Sequence, residues 1–212
     1  MDNLPSPLME NLLLTLLRDA GWPIWPLLLT SVIALALIVE RSLSLRRARI
    51  IPPTVEAEVG DMVAREQYSA QALGRLARHS PLGSVLAQVV RYRHQSPAQR
   101  RHAVEEQGRS VAFQLSRHVD ALGTIAVLAP LMGLFGTVVG MIEIFGSYAP
   151  TSGDPRALAA GISIALYNTG FGILIAIPAT LFHRYFRNRV DTLIFELETA
   201  AARLSERLGD TP

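Results

Sequence analysis

Four of the polar residues inside the apolar stretches of this chain are candidates for chemistry, because polar groups are costly there unless they serve a purpose. Thr137 and Thr169 contribute hydroxyl groups, Asn168 contributes an amide, and Glu143 contributes the one carboxyl group of its stretch. Polar and ionisable side chains within membrane segments are rare and often mark ion or proton routes. We therefore expect a polar route here, with the packing of helices as the alternative.

The two threonines give the stronger part of this expectation. At about 100° per residue, Thr137 shares a helix face with Gly133 and Met141, and Thr169 shares one with Gly172. Each hydroxyl lies near the middle of its apolar stretch, so antiparallel helices would bring the two to matching depth. Two hydroxyls at matching depth suggest a shared polar lining. The alternative is that each hydroxyl bonds the carbonyl one turn back on its own helix.

Glu143 and Asn168 are weaker candidates for a role in proton movement. Glu143 lies two residues from the end of its apolar stretch, where a carboxylate can reach headgroups or water. An interface or packing role is therefore favoured over proton handling. Asn168 follows Tyr167 at the centre of its stretch, and a buried asparagine usually bonds a neighbouring helix. Packing is favoured for it, and pore lining stays open.

Small residues and prolines in the same stretches predict close helix packing and kinks. Gly136 and Gly140 form a GxxxG pair, which lets helix backbones approach closely in lipid. Its partner is either another helix of the same chain or another subunit, and both can hold. A proline inside a helix removes a backbone hydrogen bond and tends to bend it. The predicted packing and kink residues are Pro130, Gly133, Gly136, Gly140, Gly170, Gly172 and Pro178.

Several function classes are excluded by composition and motif content. The chain has no cysteine, and its five histidines are scattered, so no metal site is expected and the histidines are interpreted as surface or anchor residues. No Walker loop, GxSxG, HExxH or dinucleotide fingerprint is present, so we expect no enzyme activity and no cofactor. The formal net charge is only +2, which does not indicate a nucleic-acid partner.

Hydropathy supplies the elements that position these residues. Half of the 212 residues are hydrophobic, and uncharged stretches at 22–39 and 157–182 flank a third at 121–145 that carries one acid. Eighteen residues make about 27 Å of helix, close to the hydrocarbon thickness of a bilayer. The predicted fold class is an all-α membrane protein with three transmembrane helices, the last two continuing as long helices beyond the bilayer.

Arginine positions predict the orientation. All twenty basic residues are arginine, of which twelve lie in 45–118, five in 184–212, and Arg41 at the edge of the first span. The positive-inside rule then places the N-terminus outside and the C-terminus in the cytoplasm. The predicted segments are an amphipathic N-terminal segment (1–21), span 1 (22–44), a cytoplasmic helical loop (45–118), span 2 (119–146), a short outer turn (147–156), span 3 (157–183) and a cytoplasmic C-terminal helix (184–212).

The segment LGTIAVLAPLMGLFGTVVGMIEIF and, after a short turn, ALAAGISIALYNTGFGILIAIPATLFHRYF resemble the MotA/TolQ/ExbB proton channel family, its ExbB and TolQ members in particular. The resemblance is strong over about 119–190. Its specific marks are PLMGLFGTVVGMI in the second span and the GIS..L...GFG....IPA pattern in the third. The first span and the loop agree in layout.

This resemblance implies a bacterial inner-membrane, multi-pass protein that forms a homopentamer surrounded by membrane lipids. The second and third helices of each subunit would line a central pore. A dimer of a single-span ExbD-like or TolR-like partner would sit in that pore, and its aspartate would carry the proton. The energy would pass to TonB or TolA. By match to the family motif, Thr137 and Thr169 lie at the positions of the pore threonines.

The chain departs from the family pattern at one position. Many ExbB and TolQ chains carry a glutamate in the third span, in a GI.EAL pattern, whereas this chain has Ile164 in GISIAL. The resemblance therefore supplies no third-span carboxylate, and Glu143 in the second span is not an evident replacement. The predicted threonine lining does not depend on this position.

The expected function is that of an ExbB-type subunit that uses the proton motive force to energise TonB-dependent outer-membrane transport. The alternatives are a TolQ-type subunit of the Tol-Pal envelope system and a non-conducting membrane scaffold. The polar helices 103–118 and 184–207 are expected to bundle between subunits. In the second of them, charges alternate in a way that suits salt bridges at helix surfaces. These residues are Arg189, Glu196, Glu198, Arg203, Glu206 and Arg207.

Overall fold

The computed structural model describes residues 21–66, 68–147 and 155–209, and throughout these ranges every regular element is a helix. The predicted all-helical fold with three helices long and apolar enough to cross a membrane is confirmed for this part of the chain. The predicted segment 1–21, except Gly21, and residues 148–154 of the predicted turn lie outside the described residues, as does the side chain of Ile164.

The helices are α1 (Ile24–Ser44), α2 (Arg47–Ile50), α3 (Pro53–Ala64), α4 (Ala70–His79), α5 (Pro81–Arg91), α6 (Pro97–Ser147) and α7 (Pro155–Gly209).

The last two helices are much longer than a membrane is thick. Helix α6 has 51 residues and α7 has 55. At 1.5 Å per residue they extend for about 77 and 83 Å, against about 30 Å of hydrocarbon. Each contains an apolar part and a polar part without a break. The chain accordingly divides into an apolar unit (Met1–Ile38 and Ala121–His183) and a polar unit (Val39–Asp120 and Arg184–Pro212).

The core of the apolar unit is small, and most of its large side chains face outward. Leu27 of α1 packs with Ala129 of α6 and with Ile175 and Ala176 of α7. Large apolar residues on the outer faces of all three helices are mostly exposed. In water they would form an extensive hydrophobic surface that is prone to aggregation. Lipid is the solvent that this surface fits. Examples are Leu29, Val32, Leu35, Val127, Ile142, Leu166 and Leu174.

The polar unit has the core of a water-soluble helical protein. Two of its short helices, α4 and α5, begin at serine caps, since Ser69 Oγ accepts from Ala72 N at 3.1 Å and Ser80 Oγ accepts from Gly83 N at 3.0 Å. The polar part of α7 buries one apolar stripe at helical spacing. This stripe consists of Phe186, Val190, Leu193, Leu197, Ala201 and Leu204.

Ion pairs also connect elements of the polar unit. Arg47 Nε lies 2.8 Å from Glu196 Oε2, which links α2 to α7. Glu196 is one of the α7 charges expected to suit salt bridges at helix surfaces, and it forms one here. Its observed partner comes from a different helix, because α2 lies against that side of α7. Arg187 Nη1 donates to Asp120 Oδ1 at 3.2 Å and links α7 to α6.

Candidate functional site

Glycines of α6 bring its backbone close to α7 within the apolar unit. A Cβ atom added to Gly133 would lie 2.7 Å from the backbone oxygen of Asn168, and one added to Gly136 would lie 2.7 Å from Asn168 Cβ. A Cβ at Gly140 would lie 3.6 Å from that of Ala165. The GxxxG pair thus packs two helices of the same chain, and a contact of these glycines between subunits stays a prediction.

The α7 side of this seam is equally tight, and the glycines on α7 are not equivalent. A Cβ at Gly172 would lie 2.6 Å from the backbone oxygen of Ala129 and 3.1 Å from Gly133 Cα. A Cβ at Gly170 would meet nothing within 4 Å. Gly172 therefore belongs to the seam, whereas Gly170 faces away from it.

Asn168 lies at the centre of the seam. The residue is 0% exposed, and its side chain packs on the face of α6 that Gly136 leaves open. A larger residue in place of Gly136 would occupy the space of this amide. The sequence predicted a packing role or a pore role for Asn168, and the geometry gives it a position between two helices of one chain.

The two candidate threonines lie at one height but make different hydrogen bonds. The contacts of Gly136 with Asn168 and of Gly140 with Ala165 place Thr137 level with Asn168 and Thr169. Thr169 Oγ1 donates across the seam to the carbonyl oxygen of Gly133 at 3.4 Å, a long hydrogen bond. Thr137 Oγ1 donates to Leu134 O on its own helix at 2.6 Å.

Thr137 also borders an open apolar groove. The groove lies on the outer side of α6 and is lined by Val138, Met141, Ile142 and Phe145 as well. A hydroxyl at the edge of such a groove is accessible to a helix that packs there. Thr169 by contrast is directed into the seam.

The remaining candidates lie outside the seam or within regular helix. Glu143 is exposed near the end of α6. Pro130 and Pro178 lie inside α6 and α7, and both helices continue through them. Neither proline ends its helix, so each of the two helices remains one element.

Sequence reasoning missed one close contact in the apolar unit, between Gly123 and His183. A Cβ at Gly123 would lie 2.7 Å from Cε1 of the His183 ring, and the histidine is half-buried. His183 is interpreted from the sequence as a surface or anchor residue, and the structure adds that its ring packs on the backbone of α6. The only hint of this contact in the sequence is Gly123 itself. It is hard to recognise, because its spacing from Gly133 does not match the GxxxG pattern.

The seam can position hydrogen-bonding groups, but its own chemistry is limited. It provides the hydroxyl of Thr169, the amide of Asn168 and the imidazole of His183. The apolar stretches at 121–142 and 157–182 contain no Asp or Glu. Among the described residues, no three His, Asp or Glu side chains come together as a metal site.

Comparison with known proteins gives consistent results. Residues 77–199 match the family model described as the MotA/TolQ/ExbB proton channel family. A putative biopolymer transport protein ExbB-like 1 of Synechocystis sp. is 34% identical over 187 residues, covering 85% of this chain and 74% of the relative. The biopolymer transport protein exbB1 of Vibrio cholerae is 30% identical, covering 76% and 73%. The biopolymer transport protein ExbB of Salmonella typhimurium is 27% identical, covering 84% and 77%.

Proposed function

This chain belongs to the MotA/TolQ/ExbB proton channel family, and from that premise we propose that it is an ExbB-type motor subunit of a bacterial inner membrane. With an ExbD-like single-span partner it uses the proton motive force to energise TonB-dependent transport across the outer membrane. Five copies form the assembly, with the N-terminus outside and the C-terminus in the cytoplasm. The predicted segment bounds, from 1–21 to 184–212, are part of this proposal.

One observation carries the proposal: three polar groups of α6 and α7 lie at one height. Thr137, Asn168 and Thr169 lie level with each other on α6 and α7, held there by glycine contacts at Gly133 and Gly136. Polar groups scattered for packing alone have no reason to share a depth. Polar groups that meet a proton carrier at one point of its path do.

The proton carrier in this proposal is supplied by the partner. The apolar stretches around the seam contain no acid at this height, and a proton carrier that works near neutral pH needs a titratable group. A membrane aspartate of the partner would pass the ring of hydroxyls that five subunits provide. Thr137 and Thr169 would donate to its ionised form and accept from its neutral form, because a hydroxyl can do both.

The other polar candidates have smaller roles in this mechanism. Asn168 holds α6 and α7 at a fixed distance, so that Thr169 stays beside Gly133. Glu143 is exposed near the outer end of α6, where it can interact with water or with the partner. The small residues of the seam form a tight wall that water does not cross easily.

The alternatives predict different partners. A TolQ-type subunit would bind a TolR-like protein and drive TolA, and a non-conducting scaffold would bind neither. The names of the three relatives above support the ExbB type over the TolQ type. The level threonines support a conducting protein over a scaffold.

The test is the native mass of the full chain in mild detergent, with and without a co-expressed ExbD-type protein, followed by proton uptake in liposomes. We expect five copies that take up two copies of the partner, and a proton flux that needs both proteins. A monomer or dimer that ignores ExbD-type and TolR-type proteins alike would overturn the proposal in favour of a scaffold. Selective binding of the TolR-type protein would favour the TolQ alternative.

A further inference from the structure

Two phenylalanines in the polar unit are more than two-thirds exposed. Phe113 on α6 is 73% exposed, and Phe195 on α7 is 68% exposed. Each lies between two buried residues of its own helix, Val111 and Leu115 around Phe113, and Leu193 and Leu197 around Phe195. A residue two positions from a buried stripe points away from it, so both rings project out of the polar unit.

Lipid is not a suitable cover for these rings, because each is flanked by exposed charges one turn away. Arg109 and Arg117 lie four residues either side of Phe113. Asp191 lies four residues before Phe195, and Glu198 three residues after it. Within one turn, the exposed charges beside Phe113 are therefore basic, and those beside Phe195 are acidic.

The two faces also lie at the same height. Arg187 Nη1 meets Asp120 Oδ1 at 3.2 Å, which pairs these antiparallel helices at one end of the polar unit. Phe113 lies seven residues before Asp120, and Phe195 lies eight residues after Arg187. At the other end, the Arg100 guanidinium lies 3.9 Å from where a Cβ of Gly209 would be, which gives the same pairing of levels.

The charges follow the same register. Arg117 lies three residues before Asp120, and Asp191 lies four residues after Arg187. Because Asp120 and Arg187 are paired, Arg117 and Asp191 lie at nearly the same height. By the same count, Arg109 is level with Glu198. A rotation about an axis normal to the membrane keeps every residue at its height. A neighbouring copy would thus present an acid opposite each arginine and a ring opposite each ring.

We infer that the Phe113 face of one copy binds the Phe195 face of a second copy of this chain, with Arg109 opposite Glu198 and Arg117 opposite Asp191. The contact is heterologous, which means that two different surfaces of the chain meet. Such contacts close into a ring when the rotation from one copy to the next divides a full turn evenly. Aromatic residues and arginine are enriched in the cores of protein interfaces, and complementary charges fix the register. Asp191 also lies 3.9 Å from Arg187 on its own helix, so Arg117 would share it.

This inference rests on the proposed function, because the two copies must stand the same way up in one membrane. The absence of cysteine makes cross-linking a clean test. The variant Phe113→Cys/Phe195→Cys, treated in native membranes with a short bifunctional thiol reagent, should give a ladder of covalent oligomers. Arg117→Cys/Asp191→Cys should also give a ladder. This second variant keeps both phenylalanine rings, so it tests the contact even if loss of the rings weakens it.

The matched control is Phe113→Cys/Glu206→Cys. Glu206 is exposed and lies 11 residues after Phe195. The cysteine at this position is therefore on the same face of α7 but about 16 Å further along the helix. This pair should give no ladder. Ladders of equal strength from the control would overturn the inferred register, and products confined to single chains would overturn the contact itself.

The native mass of each untreated variant separates this inference from the proposed function. Five copies with two partners but no ladder from either test pair would overturn the inferred interface alone. A wild-type chain that stays monomeric would overturn both. Charge reversal gives a second measure: Arg117→Glu should reduce the Phe113→Cys/Phe195→Cys ladder severalfold, and adding Asp191→Arg should restore it.

Discussion

Asn168 of α7 lies directly on the backbone of α6 at Gly136. A Cβ added to Gly136 would lie 2.7 Å from the Cβ of Asn168. The amide side chain fills the space that the missing side chain of Gly136 leaves. This contact fixes the height at which Thr169 reaches the carbonyl of Gly133. Packing and polar function are therefore linked at this point of the chain.

The first prediction concerns this contact. Gly136→Ala should lower the free energy of unfolding by about 1–3 kcal/mol, because the added methyl must displace a fully buried side chain. Gly170→Ala is the control: because a Cβ there meets nothing within 4 Å, this substitution should not destabilise the protein and should stabilise it by up to about 1 kcal/mol. Thermal unfolding in detergent measures both, and equal effects would contradict the observed seam.

The second prediction separates the hydroxyl of Thr169 from its shape. Thr169→Val should reduce proton flux in liposomes about tenfold or more, a change of about 1.4 kcal/mol in the barrier, with the pentamer retained. Thr180→Val is matched to it, because Thr180 Oγ1 bonds only Ala176 O of its own helix in the contacts observed, at 2.8 Å. Normal flux through an assembled Thr169→Val protein would remove this hydroxyl from the pathway.

The third prediction concerns a buried cation at the end of α1. Arg41 is 5% exposed and donates to Glu40 and to the carbonyl oxygen of Leu115, the latter at 3.3 Å. Arg41→Ala should lower stability by about 2 kcal/mol, because it leaves a buried carbonyl without this donor. Arg46→Ala, at an exposed position, should be neutral in the same unfolding experiment. A neutral Arg41→Ala would indicate that water replaces the guanidinium.

The fourth prediction tests the bridge between α2 and α7. The side chains of Arg47 and Glu196 are 58% and 29% exposed, so their coupling energy should be about 0.5–1 kcal/mol and should fall as salt is added. Double-mutant cycles at two salt concentrations measure it. The swap Arg47→Glu/Glu196→Arg should recover part of the stability that each single reversal loses. A coupling that does not respond to salt would argue against an ion pair.

The fifth prediction concerns the corner between α4 and α5. A Cβ at Gly83 would lie 2.1 Å from the carbonyl oxygen of Leu76, a backbone atom that cannot move without opening the corner. Gly83→Ala should therefore cost about 3 kcal/mol or prevent folding of the polar unit. Gly74→Ala, inside α4 with open space around it, should stabilise the protein by up to about 1 kcal/mol. Protease resistance of the polar unit would show the difference even if Gly83→Ala cannot be purified.

Much of the architecture was predictable because it depends on local properties. Hydropathy over windows of about twenty residues marks α1, α6 and α7 as candidate spans, and the motif around Gly136 indicates the family. The exclusion of cysteine chemistry needed only the composition. The prediction that Thr137 and Thr169 lie at matching depth follows from their distances to the ends of their apolar stretches.

The sequence by itself determined which segments are helical, which are apolar and which family the chain resembles, since these depend on composition and on the helical period. Only the tertiary structure decided that Gly172 lies in the seam while Gly170 faces away, that His183 packs on Gly123, and that Glu196 pairs with Arg47. The physical reason is that the rotation of each helix about its axis depends on the packing of all its neighbours. The helical period defines the faces of a helix, but only packing decides what each face meets.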